Sequence, residues 1–519
     1  MKISIRQAQG KRSAAVYDRW LFTLGGGEQV AFAYAMSLRD LGYKTSILTH
    51  QRVNIEKAVS KMGVDLHNIS IEYLPQMASK KLSQYSEKYD VFINTSYLDY
   101  FPNRSKFGIL SIFFPSQIFL TPYEYIKRAL ILPSFSRFFI YPSTFEGFVF
   151  DEYKNHVIYK WLGDRSSILF NRDIKHFSIT LYFRKLGVAA IDTLSFLVGE
   201  EEVEPIHKAI GDSKNLVTYY FEVHATAGKK FSISRPDGQS TNEIALIRLT
   251  IQSWRYILYN WFKRIFPKWE MRLHGGPGVT KLSDITTYQK LLTISAFSQK
   301  WIKKYWGLDS EILYPPVSTS NFHVSANKKN WITHVGRFFV TGHCKKQLDL
   351  VKAFRKLVDQ SGRRDWELHF VGSVHDGDKH REYFEQVKYY ATGYPVFFHM
   401  DAPFSELQEI LSKSKIYWHA TGLDENEERS PILFEHFGIT TVEAMASGCV
   451  PVVINAGGQK EIVTSGSGFL WDTRQDLIEK TLLLMQNEKK LIQMRNSAVK
   501  RSAYFSTSEF RKRFASLLP

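Results

Sequence analysis

Two carboxylates separated by seven residues, Glu435 and Glu443, bracket the stretch of this 519-residue sequence with the most chemical content. It reads Glu435-His-Phe-Gly438-Ile-Thr-Thr441-Val-Glu443-Ala-Met-Ala-Ser-Gly448-Cys-Val-Pro451 and runs on through an apolar strand to Gly457-Gly458. The pattern predicts a helix over Thr440–Ser447, so Gly438, Ile439, Thr440 and Thr441 stand at its start. The opening N–H groups of a helix lack intrahelical acceptors and carry the positive end of its dipole, which suits a phosphate or diphosphate. Glu443, in the first turns, can accept hydrogen bonds from a ribose, and Glu435, on the entering loop, can reach a sugar hydroxyl. The competing reading is two solvated carboxylates at a helix start.

Weaker signals surround this one. His419, in Trp-His-Ala-Thr-Gly, ends a predicted strand, where it either packs or touches a ligand. Gly25-Gly26-Gly27-Glu28 opens a predicted helix, and a glycine cluster alone marks a turn. Asp376-Gly-Asp378 offers a single pair of carboxylates, too little to argue for Mg²⁺, and reads as a solvated loop. No metal site is expected. The acidic run Asp424-Glu425-Asn426-Glu427-Glu428 reads as a mobile loop near the site entrance.

Alternating short apolar runs and helical patterns must carry these residues. In residues 1–150, Ser13–Tyr17, Lys44–Leu48, Val91–Ile93 and Ile109–Phe113 read as strands, with a periodic helix from Gln29 to about Leu41. Strand, loop and helix at this spacing argue for a parallel sheet with crossover helices. Residues 151–252 differ: short alternating runs such as Val157–Trp161, Ser166–Phe170, Ser178–Phe183, Ala189–Val198 and Leu216–Val223 are separated by turn signals such as Pro236-Asp237-Gly238. They predict an inserted all-β, sandwich-like module. The α/β pattern resumes over 253–318, which completes the N-terminal domain. A second α/β unit over 319–500 carries six strands, Trp331–Val335, Glu367–Val371, Val396–His399, Ile416–His419, Val450–Ile454 and Gly468–Leu470, and a helix over 501–519 ends the chain. Two such units suggest ligands at the carboxyl ends of the strands, in a cleft between domains.

Composition narrows the class. With 44% hydrophobic and 23% charged residues the chain is globular. Its two cysteines cannot staple this length, and a reduced cytosolic compartment is expected. No apolar run reaches the roughly 20 residues that span a bilayer, and the first residues lack a signal-peptide apolar stretch. The unusual features are a net charge of +17 and 15% aromatic residues. Both concentrate in Ser253–Arg272, where seven of twenty residues are aromatic, five are basic and one is acidic. Trp254, Leu258, Trp261, Ile265 and Trp269 recur at helical spacing, though Pro267 interrupts it. Core packing, a membrane-surface element and a glycan platform are the three readings. Of the +17, +13 falls in residues 1–150 and 253–319, which predicts an anionic membrane or phosphorylated acceptor facing that domain. No recognition motif accompanies the charge, so nucleic acid is not an expected partner.

The Glu435–Gly458 stretch, with its Phe-Gly, Glu-Ala-Met-Ala-Ser-Gly and Val-Pro-Val-Val runs, resembles the retaining family 4 glycosyltransferases. The resemblance extends to Val335-Gly336-Arg337-Phe338 with Lys345-Lys346, and to Gly25-Gly26-Gly27-Glu28. It covers roughly residues 13–120 and 290–475 and implies a GT-B fold, with two Rossmann-like domains facing a cleft. It also implies that Arg337 and Lys345 or Lys346 face a donor diphosphate, a task suited to a guanidinium fork and an ammonium point charge. Glu435 would act with them at the reacting sugar. Glu443, Gly438, Ile439, Thr440, Thr441 and His419 would bind the nucleotide sugar, and Gly25, Gly26 and Gly27 would line the cleft. No cofactor is obligatory in the family. One departure is Phe113-Phe114-Pro115, where relatives often carry a histidine.

The expected activity is transfer of a hexose from a nucleotide sugar to a glycan or lipid-linked acceptor, in polysaccharide or lipopolysaccharide assembly. The expected location is cytoplasmic and peripheral, at the inner face of the membrane. A sugar-nucleotide epimerase or hydrolase of the same architecture, or a non-catalytic glycan-binding scaffold, are the rivals.

Overall fold

The computed structural model describes residues 12–74, 79–116, 138–154, 157–184, 193–211, 215–225, 229–235, 243–265, 281–340, 342–375 and 377–519. The Pro236-Asp237-Gly238 turn, Pro267 to Arg272 and Asp376 lie outside them. The chain divides into two compact units, one drawn from residues up to Lys290 and one from Leu291 to Pro519. Ser60–Gly63 and Ser111–Pro115 belong with the second.

In the first unit, β1 (Ser13–Tyr17), β2 (Lys44–Thr49), β3 (Ile69–Tyr73), β4 (Val91–Asn94) and β5 (Phe107–Ile112) pair in parallel in the order β5-β4-β1-β2-β3. The continuous apolar runs of β1 and β4 are buried along nearly their whole length, as strands covered on both faces require. The chain leaves β1 toward β2 and later returns to β4 on the other side of β1. Their carboxyl ends therefore form the unit's topological switch point. The helix Gly26–Asp40 starts just beyond β1, and its first turn is closed by the Gly25 N–H donating to the Glu28 carboxylate at 2.6 Å.

The expected β insert is present. β6 (Pro142–Lys154), β7 (Val157–Phe170), β8 (Ile174–Phe183), β9 (Ser195–Val198), β10 (Glu201–Glu202), β11 (His207–Ile210), β12 (Leu216–Ala225), β13 (Lys230–Ser234) and β14 (Ile244–Ile251) form one nine-stranded sheet. The sheet folds over on itself in the expected sandwich-like way: Phe177 of β8 meets Phe231 of β13 with ring centroids 4.8 Å apart, although β7 and β14 lie between those strands in the sheet. β6 lies ahead of the expected start at 151, and the runs Val157–Trp161 and Ser166–Phe170 are two ends of one strand. Glycine explains the continuity. At Gly147, φ is +74° and a Cβ would stand 2.1 Å from the Arg165 carbonyl oxygen, while a Cβ on Gly163 would stand 2.3 Å from that of Gly147. The pairing slips register on either side of Phe148, so the paired strands bend there without ending. One face buries an aromatic core that includes Phe177, Phe196, Phe221 and Phe231. The helix Trp254–Ile265 adds Tyr256, Tyr259 and Phe262 to it.

The second unit opens within the short parallel pair β15 (Lys290–Thr293) and β16 (Glu311–Ile312), which completes a seven-stranded sheet in the order β16-β15-β5-β4-β1-β2-β3. Its main sheet is β17 (Lys329–Val335), β18 (Glu367–Gly372), β19 (Val396–Met400), β20 (Ser414–His419), β21 (Val450–Ile454) and β22 (Phe469–Trp471). It is wholly parallel, in the order β19-β18-β17-β20-β21-β22. All six expected strands are there. The switch point lies between β17 and β20, and Val335 and His419 are their last residues. The helices Arg474–Gln486, Glu488–Ser502 and Thr507–Leu517 close the chain.

Candidate active site

The loop after β17 carries Arg337 at the switch point. Phe338 is fully buried, and its backbone bridges to Ser373 and His375, which pins the loop from below. Arg337 is left exposed. Its guanidinium makes no hydrogen bond or ion pair among the described residues and lies 5.7 Å from the Phe339 ring. Gly336 must be glycine, because a Cβ there would meet Lys345 Cγ at 2.8 Å.

Lys345 and Lys346 stand before the helix Gln347–Ser361. Lys346 adopts a left-handed conformation with φ of 58°, and the buried Gln347 donates to the carbonyls of Arg337 and Gly336 at 3.0 and 3.3 Å. The helix start and the Arg337 loop are thereby one rigid piece. The two lysines diverge: Lys345 Nζ meets Glu435 Oε2 at 2.5 Å, and Lys346 Nζ meets Glu425 Oε1 at 2.7 Å.

Glu435 sits on the loop that follows the 3-10 turn Pro431–Leu433, backed by two glycines. The Gly458 N–H donates to the Glu435 carbonyl at 2.8 Å. A Cβ on Gly457 would lie 2.3 Å from that carbonyl oxygen, and one on Gly458 would lie 2.5 Å from the His436 oxygen. Gly457-Gly458 is thus a platform on which the Glu435 loop rests. The carboxylate takes a second contact from His419 Nε2 at 3.2 Å. Burial raises the Glu435 carboxyl, but Lys345 and His419 more than offset it and hold it well below the usual carboxylate range.

Sequence reasoning missed how many imidazoles gather here. His334 donates its Nδ1–H to the Trp418 carbonyl at 2.9 Å, and burial pushes its pKa down to about 3. His436 stacks on Phe114 with ring centroids 4.3 Å apart, and His343 meets it edge-on at 4.6 Å. Burial lowers all of them, His419 included, so each is neutral at physiological pH. Among the described residues, His334 Nε2, His419 Nδ1, Thr421 Oγ1 and His436 Nε2 are buried without a hydrogen-bond partner. Unpaired buried groups are costly, and a ligand or water is one way to satisfy them. The adjacency of His436 to Glu435 was the available signal, and Phe114, in the segment where relatives carry a histidine, is the ring it stacks on. Among the described residues no group of three metal-ligating side chains occurs.

The helix expected over Thr440–Ser447 spans Ile439–Ala446. Gly438 precedes it with φ of 122°, where a Cβ would stand 2.3 Å from Gln459 Nε2. Thr441 Oγ1 donates to Gln459 Oε1 at 2.9 Å, and the Thr440 hydroxyl bonds Tyr417 Oη at 2.8 Å. The Ile439 and Thr440 amides have no acceptor among the described residues. Glu443 is half-buried, its carboxylate has no partner among the described residues, and burial alone pushes it up to about 7. The site thus holds one paired glutamate, ionised, and one unpaired glutamate poised at neutrality.

The acidic run is anchored: Glu425 pairs with Lys346, Glu427 and Glu428 with Lys300, Glu428 with Lys304, and Asp424 with Arg474. Asp378 begins the helix Asp378–Ala391 and pairs with Arg381 at 2.9 Å. Gly25, Gly26 and Gly27 belong to the first unit, beyond β1.

Residues 318–501, which hold this whole constellation, match the family model described as glycosyl transferases group 1. They form a group 1 glycosyl transferase domain. Over 228 residues the chain is 27% identical to the GDP-Man:Man(3)GlcNAc(2)-PP-Dol alpha-1,2-mannosyltransferase of Dictyostelium discoideum, covering 41% of this chain and 42% of that protein. It is 36% identical to the human protein of that name over 128 residues, 23% of this chain and 24% of the relative. The chain spans less than half the length of these curated relatives. Its fold is GT-B: Anabaena HepE, solved in complex with UDP, superposes with a TM-score of 0.51 at 13% identity, covering 97% of this chain and 99% of HepE. A Rickettsia africae glycosyltransferase gives 0.51 at 12% identity, with 98% of both chains covered.

Proposed function

We propose that this protein is a retaining glycosyltransferase that moves a hexose from a nucleotide-diphosphate sugar, GDP-mannose in the first instance, to a lipid-linked glycan. The observation that carries the reading is the pairing of a half-buried Glu443, without a partner among the described residues, with free amides at its helix start, inside the residues that match the group 1 glycosyl transferase model. The relatives' names supply the donor and a lipid-diphosphate-linked acceptor. The site chemistry supplies the rest.

Glu443 accepts the ribose hydroxyls, and the Ile439 and Thr440 amides take the diphosphate at the helix start that Gly438 and Thr441 shape. Arg337, with Lys345 or Lys346, neutralises the negative charge that grows on the diphosphate as it departs. Glu435 and His419 hold the sugar. The acceptor hydroxyl attacks the anomeric carbon on the face from which the diphosphate leaves. The bond from that carbon to the diphosphate oxygen breaks, the new C–O bond forms, and the hydroxyl proton passes to the departing phosphate oxygen. Residues 319–500 serve the donor, while residues 1–150 and 253–318, with the Gly25–Gly27 loop, serve the acceptor. The protein works peripherally at the cytoplasmic face of a membrane, assembling a polysaccharide or glycan on its lipid carrier.

A thermal-shift screen of GDP-mannose, UDP-glucose and other sugar nucleotides identifies the donor, since a ligand that binds only the folded state raises its stability. The reading expects a donor-dependent rise, and product formation only when a lipid-diphosphate glycan is added. Turnover of the sugar nucleotide without acceptor would favour an epimerase or hydrolase. Donor binding with no turnover would favour a scaffold.

A further inference from the structure

The helix Trp254–Ile265 divides sharply. Tyr256, Tyr259 and Phe262 are buried in the core of the β module. Trp254, Ile257, Leu258, Trp261 and Ile265 are 59, 68, 37, 61 and 46% exposed. At about 100° per residue these five fall within an arc of about 100°, on the side opposite the three buried rings. Phe138, also exposed, meets Trp254 edge to face at 5.7 Å and extends the patch.

Charge says what covers this face. The helix contains no acidic residue and three basic ones, Arg255, Lys263 and Arg264. On the same helical wheel Arg264 falls about 20° beyond one edge of the apolar arc and Arg255 about 60° beyond the other. The Arg255 guanidinium lies 5.7 Å from the Phe138 ring and 5.5 Å from the Trp254 ring. Two tryptophans with aliphatic neighbours, edged by guanidinium groups, match the layered chemistry of a lipid headgroup region. Indole rings sit there between apolar and wet surroundings, and cations meet phosphate. No helix among the described residues is long and apolar enough to cross a membrane. The excess charge fits as well: +13 of the net +17 lies in residues 1–150 and 253–319, the sequence on either side of the insert.

We propose that the exposed face of the helix Trp254–Ile265 docks the protein on an anionic phospholipid surface. Trp254, Ile257, Trp261 and Ile265 enter the interface, and Arg255 and Arg264 bind headgroup phosphates. The purpose of this contact, presenting the enzyme to a lipid-linked acceptor, rests on the glycosyltransfer reading above.

Sedimentation of the full chain with phosphatidylcholine vesicles, with and without phosphatidylglycerol, tests it. Wild-type protein is expected to bind the anionic vesicles, with indole emission shifted to the blue, and to release as salt rises. Ile257→Asp/Trp261→Asp is expected to lower binding at least about tenfold. Arg255→Gln/Arg264→Gln is expected to remove most of the preference for phosphatidylglycerol. Because Tyr256, Tyr259 and Phe262 are untouched, both variants should melt at the wild-type temperature, and Trp254→Gln/Trp261→Gln provides a milder pair. Wild-type protein that ignores anionic vesicles, or apolar-face variants that bind them undiminished, overturns the proposal. So does a solution dimer by light scattering that the same substitutions dissociate, which would assign the face to a second copy. Transfer to a short-chain, water-soluble acceptor separates the two claims. Its absence alongside normal vesicle binding defeats the activity and leaves the docking face; normal transfer without vesicle binding does the reverse.

Discussion

Lowering the pH from 8 to 6 should weaken donor binding about tenfold, through one residue. Glu443 is pushed up to about 7 by burial, with no cation or donor to offset it. A carboxylate accepts two ribose hydroxyls, whereas a protonated carboxyl keeps one oxygen occupied by its own proton. The ionised fraction of a group titrating at about 7 is roughly nine-tenths at pH 8 and roughly one-tenth at pH 6. If only the ionised form binds, Kd rises about tenfold over that interval, which is about 1.4 kcal/mol. Few other groups confuse the reading. The diphosphate of a sugar nucleotide is a diester and does not titrate there. His334, His343, His419 and His436 are all held below the ordinary imidazole range by burial, and Glu435 lies well below it too. Calorimetric titration with GDP-mannose at pH 6, 7 and 8, in buffers of different ionisation enthalpy, reads both affinity and proton release. About half a proton should leave on binding at pH 7. Glu443→Gln should bind weakly, with an affinity independent of pH. A flat Kd in the wild type, or the same slope in Glu443→Gln, would refute the assignment.

The same carboxyl affects stability. Its folded form holds a proton more tightly than the unfolded chain, so it withdraws stability as pH rises from about 4.5 to about 7. Glu443→Gln should therefore raise apparent stability at pH 8 by up to about 3 kcal/mol, and by almost nothing near pH 4.5, in denaturant titrations. Arg337→Ala removes no hydrogen bond or ion pair among the described residues, only the guanidinium beside the half-buried Phe339 ring, so its melting temperature should stay close to wild type while donor affinity falls by about 10- to 100-fold. Lys345→Met strands the Glu435 carboxylate beside His419 alone and should cost about 1–3 kcal/mol. Lys345→Met/Glu435→Gln should recover part of that loss in a double-mutant cycle. Gly438→Ala forces a side chain into Gln459 at a φ of 122° and should lower the melting temperature as well as abolish donor binding.

The second unit was legible because its strands are buried on both faces, which leaves uninterrupted apolar runs such as Val450–Ile454 and Ile416–His419. The spacing of Glu435, Gly438 and Glu443 could be read because a helix start and its approach loop are local in sequence. The pairing of Lys345 with Glu435, and the gathering of His334, His343 and His436, could not. These contacts cross 90 or more residues in some cases and depend on which strands neighbour β17. The β module shows the opposite failure. Gly163 looks like a break between two strands, yet it is the point where β6 and β7 cross closely enough to exclude a Cβ. Of the three readings of the aromatic helix, core packing holds for one of its faces. Its tyrosines and Phe262 pack, and its tryptophans do not, a division that periodicity implies but composition hides.

The most direct test of the central claim is the anomeric configuration of the sugar transferred. Wild-type protein, GDP-mannose and a lipid-diphosphate oligosaccharide should yield, by NMR, a new glycosidic linkage with the donor's α configuration. Arg337→Ala and Glu443→Gln, both folded, should yield none. An inverted linkage, full activity in either variant, or release of free mannose irrespective of acceptor would contradict the account.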